Sequence, residues 1–400
     1  MHKFYRPWGH VTHDFWTITD PIPHDGYPAP SLTGGLSQSS AETAFTKEIP
    51  MPNLPPSSSA LLTSPAFHTV EGAYTALLQL VSKEPERRID ARGNTGREVL
   101  GVSFRLPDPR QRLPYLAERK VNPVFQYAGA LWHLAGRRDL EMIGYYAPSM
   151  RASSTDGVHL GGSAYGHTLF GLGGGSQSPF DRVIDLLLDE SDSKRGYLPV
   201  FSTTELADRS NPDVACLAGL HLLPREGRLH MICNMRATNL DYGLLSNVFA
   251  CTMIQEYAAI QLGLDLGGYT HIIGSAHVND YNAARVHRVL SEAASRQPLR
   301  FPFPSMPEDT TAATIADLLT HEEALRTNEL RYTVEHIQTR LGLAPYWQQM
   351  VMLFELQRQI QHDQVAAVDP ALLHALDPGL RWLMARKWSA CAAATAEDPQ

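Results

Sequence analysis

A fold of mixed helices and strands is what this 400-residue sequence predicts, and three segments carry the prediction. Residues 216–223 and 228–235 are apolar-rich runs on either side of Pro224-Arg225-Glu226-Gly227, whose turn chemistry predicts a β-hairpin. Residues 247–262 are almost entirely apolar, too broadly so for a helix that faces water, and predict a buried one. Beyond Pro298, Ile315, Leu318, Leu319, Leu325, Leu330, Val334, Ile337 and Leu341 recur at helical spacing and predict one or two amphipathic helices.

In chain order, residues 1–70 hold ten of the 28 prolines and a serine-rich stretch, a composition that disfavours helix and predicts a docked or extended arm. From Glu71, the spacing of Ala73, Leu77, Leu78 and Val81 predicts an amphipathic helix ending near Glu84-Pro85, the start of a folded domain over residues 71–296. Short β-rich runs follow over 96–106, then a buried helix over 125–134 containing Trp132. The glycine-dense stretch 157–175 lacks the Gly-Lys-Ser/Thr ending of a phosphate loop and reads as a connector. A helix over 181–188 precedes the hairpin, and a short strand over 269–273 follows the buried helix. Residues 297–400 form a helical extension, with helices over 346–361 and 370–387 after those named above.

A composition of 43% apolar and 19% charged residues excludes a disordered chain. The formal charge of −8 and pI near 6.1 argue against nucleic acid as a partner, while leaving small anions that need only a few local arginines. Four cysteines, Cys216, Cys233, Cys251 and Cys391, form neither a disulfide framework nor a zinc pattern, so no metal is expected. With no hydrophobic signal region and no run of about 18 apolar residues, no membrane association is expected and the reading is a cytoplasmic protein.

A free cysteine is usually a small buried apolar residue. Cys216 differs by its company. It follows an Asn211-Pro212-Asp213 turn at the start of a strand, and Arg236 lies just past the second hairpin strand. An arginine beside a thiol lowers its pKa, and its forked donors hold anions. Asn247 opens the buried helix, where one amide presents a donor and an acceptor at fixed positions.

This spacing resembles the thymidylate synthase family, folate-dependent enzymes that add a one-carbon unit to C5 of a uridine nucleotide. The family's nucleophilic cysteine, Arg-Ser-x-Asp, Gly-Leu-Pro-Phe-Asn and Asp-x-His-x-Tyr segments match Cys216, Arg236-Ala237-Thr238-Asn239, Gly243-Leu244-Leu245-Ser246-Asn247 and Ser275-Ala276-His277-Val278-Asn279. Upstream, Arg92-Gly93-Asn94-Thr95-Gly96 is similar to its phosphate loop, Ala130-Leu131-Trp132-His133-Leu134 to its Leu-Leu-Trp-Phe-Leu helix, Gly162-Ser163-Ala164-Tyr165-Gly166 to its Gly-Pro-Val-Tyr-Gly segment, and Ser193-Lys194-Arg195 to its Ser-Arg-Arg. The resemblance covers about residues 72–290. It implies an α+β, three-layer fold with a twisted mixed sheet and a homodimer with shared active sites. It also implies a pyrimidine nucleoside monophosphate as substrate and 5,10-methylenetetrahydrofolate as one-carbon donor. Cys216 would add to C6, a covalent step that turns C5 into a carbon nucleophile. Arg92 and Arg236, with Lys194 and Arg195 of the partner subunit, would hold the phosphate. Asn247 would read the uracil edge, and His277 the sugar hydroxyl.

Departures from the family pattern carry as much information. The family's catalytic glutamate falls on Gly129 and its folate-contacting aspartate on Asn239, so both carboxylates are missing. The sugar-binding tyrosine is Asn279, which suggests room for a second sugar hydroxyl and hence UMP as well as dUMP. The Trp-x-x-Trp segment corresponds to Ile143-Gly144-Tyr145-Tyr146, an opening for water that suggests a 5-hydroxymethyl product beside the 5-methyl one. No segment resembles the family's closing C-terminal tail; the helical extension takes its place, over the folate side or at the dimer contact. Tyr127, His133, Tyr165, His167 and Asp241 are the candidates to replace the lost proton relay. Two other readings compete: a folate-independent conversion that keeps the Cys216 adduct, and a non-catalytic nucleotide-binding relic.

Overall fold

A computed structural model of the protein describes residues 63–91, 93–171 and 177–396. Residues 1–62, most of the expected arm, and Arg92 lie outside the described residues.

The first helix, α1 (Val70–Lys83), begins where the Thr69 side chain accepts the Gly72 N–H and ends at Glu84, as the spacing predicts. Strands β1 (Arg87–Ala91) and β2 (Asn94–Leu106) form a hairpin. Then come α2 (Pro123–Leu134), α3 (Leu140–Tyr146), α4 (Tyr165–Phe170), α5 (Pro179–Asp189) and the short edge strand β3 (Tyr197–Pro199). The predicted hairpin is β4 (Leu217–Arg225) and β5 (Arg228–Asn239). Its turn is tighter than the sequence suggests. Pro224 and Arg225 remain in the strand, and Glu226 and Gly227 alone reverse the chain, with φ of 52° and 74°. Two successive positive φ values match the twist of the flanking strands, which is why glycine follows.

The buried helix α6 runs Leu244–Gln261, one turn earlier than its apolar run because Leu244 and Leu245 are also buried. Strand β6 (Asp265–Asn279) is three times the length of the predicted segment. It is the central strand, paired on both sides, so its glycines and polar residues are held by neighbours and need no apolar signature. The six-stranded sheet has the order β1-β2-β6-β5-β4-β3; β5 and β6 are parallel and every other pair is antiparallel. Met231, Cys233 and Met235 alternate inward on β5, as do Tyr269, His271 and Ile273 on β6, and α6 packs on that face. On the opposite face His230, Ile232 and Asn234 are half-buried and Ile272 is exposed.

Helix α2 packs on α6, and the C-terminal helices pack on α2, so helices cover one side of the sheet in successive tiers. After α7 (Ala283–Ser295) these are α8 (Ala312–Arg326), α9 (Val334–Arg340) and α10 (Pro345–Arg358), followed by three short helices over Pro370–Ala375, Pro378–Lys387 and Ser389–Ala396. Polar anchors lock these tiers: the buried Arg112 and Glu256 pair, Glu256 accepts the Met306 N–H at 2.9 Å, and Trp347 donates from Nε1 to Thr310 at 3.2 Å. No described helix is long and apolar enough to cross a membrane.

Candidate active site

Cys216 is half-buried at the residue before β4. Its carbonyl accepts the Arg236 N–H at 2.8 Å, extending the β4–β5 ladder by one bond. The Arg236 guanidinium then folds back, donating from Nε to the Ala215 carbonyl at 2.7 Å and from a terminal nitrogen to Val214 at 2.9 Å. Two of an arginine's five N–H donors are thereby used, and no other hydrogen-bond partner of this guanidinium lies among the described residues. The aromatic ring of Phe201 lies 6.0 Å beneath it.

Asp213, buried at 6% exposure, fixes the approach to the thiol from the other side. Its carboxylate accepts N–H groups from Gly161 at 2.9 Å and Ser163 at 3.0 Å, plus the Ser163 hydroxyl. Its carbonyl accepts the Gly162 N–H at 3.0 Å, and Glu205 accepts the Ala215 N–H at 2.7 Å. At Gly162 a Cβ would lie 2.2 Å from the Ala215 nitrogen, so only glycine allows this approach. Sequence reasoning noted Asp213 as a turn residue and missed the clamp, because its partners lie about fifty residues away; a carboxylate three positions ahead of Cys216 was the signal on offer.

Next to this corner lies a cavity of about 140 Å³ between α2, α4 and the first turn of α6, with Asn247, Gly129, His133 and Tyr165 on its wall. Phe125, Trp132, Ile143 and Met150 make it largely apolar, and no lining residue carries a carboxylate, ammonium or guanidinium group. A Cβ built on Gly129 would meet nothing within 4 Å, so the missing glutamate side chain leaves open space. Rings of His133 and Tyr165 stack nearly parallel, 5.4 Å apart. His133 Nδ1 accepts the Gly166 N–H at 3.1 Å, and burial holds its imidazole pKa down to about 4. Burial also pushes the Tyr165 phenol well above 10.

Three of the five relay groups lie elsewhere. Tyr127 packs in the core against Phe249, at 5.2 Å. His167 is exposed, with Nδ1 3.1 Å from the Gly136 carbonyl, and Asp241 is buried in an ion pair with Arg285.

Asn239 and His277 are register partners across β5 and β6, and Glu98 on β2 pairs with His277 from the far side. The Asn239 side-chain oxygen accepts the N–H groups of Asp241 and Tyr242, both at 3.1 Å, which shapes the turn into α6. His277 keeps a buried Nδ1 without a hydrogen-bond partner among the described residues, and burial lowers its pKa. Glu98, only 9% exposed, accepts the Ser275 hydroxyl, so a carboxylate from β2 stands beside the serine that replaces the family's aspartate. Asn279 is also 9% exposed, and its amide donates to the Tyr281 hydroxyl at 2.9 Å. Lys194 and Arg195 lie on the loop before β3; Arg195 pairs with Glu190, and the Lys194 carbonyl meets His221 Nε2 at 3.0 Å. No described contact joins either to Cys216 or Asn247.

Where the family places two tryptophans, the chain builds a contact with its own C-terminal helices. Tyr146 donates to Glu322 at 2.8 Å, Arg326 joins Glu322 at 2.9 Å to Glu141 at 3.0 Å, and Tyr145 stacks on His362.

A mixed sheet backed by one apolar helix, with a thiol and an arginine joined at the hairpin end and an asparagine on the helix's first turn, defines the class. The chain belongs to the thymidylate synthase family, whose model, described as Thymidylate synthase, matches residues 72–327. It is 29% identical over 225 residues to a deoxyuridylate hydroxymethyltransferase of Bacillus phage SP01, covering 52% of this chain and 57% of that one. A second deoxyuridylate hydroxymethyltransferase, from Pseudomonas phage M6, is 29% identical over 171 residues, 42% of this chain and 48% of its own. A thymidylate synthase of Symbiobacterium thermophilum is 24% identical over 256 residues, 59% of this chain and 86% of its own. The chain thus spans about half the length of the two phage relatives.

Proposed function

We propose that this protein transfers a one-carbon unit to C5 of a uridine monophosphate, UMP or dUMP, through a covalent adduct between Cys216 and C6, and that the product is the 5-hydroxymethyl nucleotide. The observation that carries the reading is the corner at Cys216, where the chain folds Arg236 back onto the two residues ahead of the thiol. Thiolate addition forms the S–C6 bond and moves the C5–C6 π pair toward C4 and its oxygen, leaving C5 able to attack an electrophilic carbon. The donors still open on Arg236 face the phosphate, and Asn247 presents the acceptor and donor that match the uracil edge. Arg92, and Lys194 and Arg195 of the partner subunit, complete the phosphate site. The homodimer this requires would bury the uncovered face of the sheet around Ile232 and Ile272.

The walls of the Asn247 cavity fit a flat heteroaromatic ring: Trp132, Ile143 and Met150 offer apolar surface, and the missing carboxylates leave room at Gly129. Methylenetetrahydrofolate, when bound, would supply the carbon. Two relatives named as hydroxymethyltransferases, and a cavity without a carboxylate to organise later proton transfers, support the hydroxymethyl product over the methyl one.

Incubation with C5-tritiated UMP and dUMP, with and without methylenetetrahydrofolate, tests the reading. Folate-dependent tritium release with a mass gain of about 30 Da is expected; a gain of about 14 Da corrects the product to methyl. Release without folate transfers the assignment to a folate-independent conversion. Binding without release under any condition identifies a nucleotide-binding relic.

A further inference from the structure

Thiolate addition at C6 sends an electron pair onto the C4 oxygen of the ring, and hydrogen-bond donors already in place stabilise the charge that develops there. Several polar groups of the cavity wall already have partners. Ser163 gives its hydroxyl to Asp213, and the Ser246 oxygen accepts a hydrogen bond from the Gln126 amide at 3.3 Å. In the reading above the Asn247 amide donates to the C4 oxygen, whose two lone pairs accept a second donor.

His133 is different. Gly166 donates its N–H to Nδ1, so the proton of the neutral ring resides on Nε2, the nitrogen left to the cavity that the ring lines. Gly166 can come this close only because it has no side chain: a Cβ there would sit 2.0 Å from the His133 carbonyl oxygen. Tyr165 stacks parallel on the imidazole and holds its plane. His133 also lies four residues after Gly129 on α2, one turn along the same face, beside the space that the glycine leaves open.

Resting on the uridylate reading, we propose that His133 is a catalytic residue that donates from Nε2, as a neutral imidazole, to the C4 oxygen of the pyrimidine. In this step the S–C6 bond forms, the C5–C6 π bond breaks, the pair moves to the C4 oxygen, and the imidazole keeps its proton. The C5 proton leaves later, to a base that is not His133. The assignment carries a pH signature. Of the groups facing the ring from α2, α4 and α6, none is charged, and Tyr165 is the one other titratable side chain on the cavity wall. A ring whose burial keeps it neutral down to about pH 4 leaves no limb near pH 6.5 in the rate profile.

The experiment compares tritium release from C5-labelled uridylate by the full-length protein, His133→Phe and His133→Gln, together with nitrogen-15 spectra of histidine-labelled wild type. Loss of about 10²-fold in turnover for His133→Phe is expected, with KM for the nucleotide little changed and a partial recovery in His133→Gln, which retains an N–H donor. The His133 Nε2–H resonance should move when the nucleotide is added. Equal rates in wild type and His133→Phe overturn the proposal, as does a limb near pH 6.5 that the Phe variant removes. Wild type without tritium release from either nucleotide overturns the uridylate reading instead. In that event the spectrum decides for His133: a nucleotide-induced shift upholds the donor and an unmoved resonance removes it.

Discussion

The corner that holds Cys216 and the cavity that holds Gly129 adjoin each other and are built on opposite principles. At the corner, backbone groups and charged side chains tie the Cys216 segment in place: Arg236 grips two carbonyls, the Asp213 carboxylate gathers three donors, and Glu205 takes the Ala215 N–H. At the cavity, the wall is aromatic and aliphatic, glycine stands at the family's glutamate position, and the polar groups are neutral. The comparison teaches that the segment around the thiol is held by many bonds at once, whereas the family's proton-handling position is occupied by a glycine with open space beside it. A nucleophile needs fixed geometry, which many bonds supply together. A proton relay needs one group of the right pKa, and a single substitution removes it.

The largest effect that would sharpen this contrast is Cys216→Ser. It should lower tritium release about 10⁴-fold or more while leaving the thermal unfolding midpoint unchanged. Normal turnover in that variant would break the comparison at its first term. Asp213→Ala should act on the same corner through structure. It leaves the N–H groups of Gly161 and Ser163 without an acceptor, and denaturant titration should show a loss of about 2–3 kcal/mol, with activity falling alongside.

The cavity has its own stability signature. A native His133 with its pKa near 4 binds no proton between about pH 4 and 6.5, whereas the same ring in the unfolded chain does. Its contribution is therefore complete above 6.5 and is lost as the pH falls toward 4. Burial raises the pKa of Glu71 and Glu322, which act in the opposite direction, so the informative quantity is a difference. Denaturant titrations at pH 4.5 and 7 should show wild type losing about 2 kcal/mol more than His133→Phe over that interval. The smallest effect is Gly129→Ala. With nothing near the new methyl group, it should stabilise α2 by about 0.5–1 kcal/mol, read as a rise in unfolding midpoint, and a fall would show that the space beside Gly129 is not open.

Particular elements show how far the sequence could be read. The hairpin β4–β5 and helices α1, α2 and α6 were legible because each buries a face whose periodicity repeats over several residues. β6 was legible over a third of its length. Glycines and half-exposed polar residues interrupt its pattern, and pairing with β2 and β5 supplies the order that composition does not. At the site, Cys216, Arg236 and Asn247 were legible as residue types at a spacing, and the structure joins the first two directly. Glu98 was not: a carboxylate on one strand meets Ser275 on another, 177 positions away, and no local pattern encodes that meeting.

By itself, the sequence determined which chemistry the chain possesses: a thiol, an arginine, an asparagine on a buried helix, and glycine and asparagine where carboxylates would stand. These are properties of side chains, and they survive without coordinates. Tertiary structure alone decided which of these groups meet and in what state. The Nε2–H form of His133 depends on one backbone N–H from Gly166, thirty-three positions along the chain, and the bond exists because two segments pack closely enough to exclude a single methyl group. Protonation and orientation are set by neighbours in space, and those neighbours are brought together by burial of the sheet and helices that carry them.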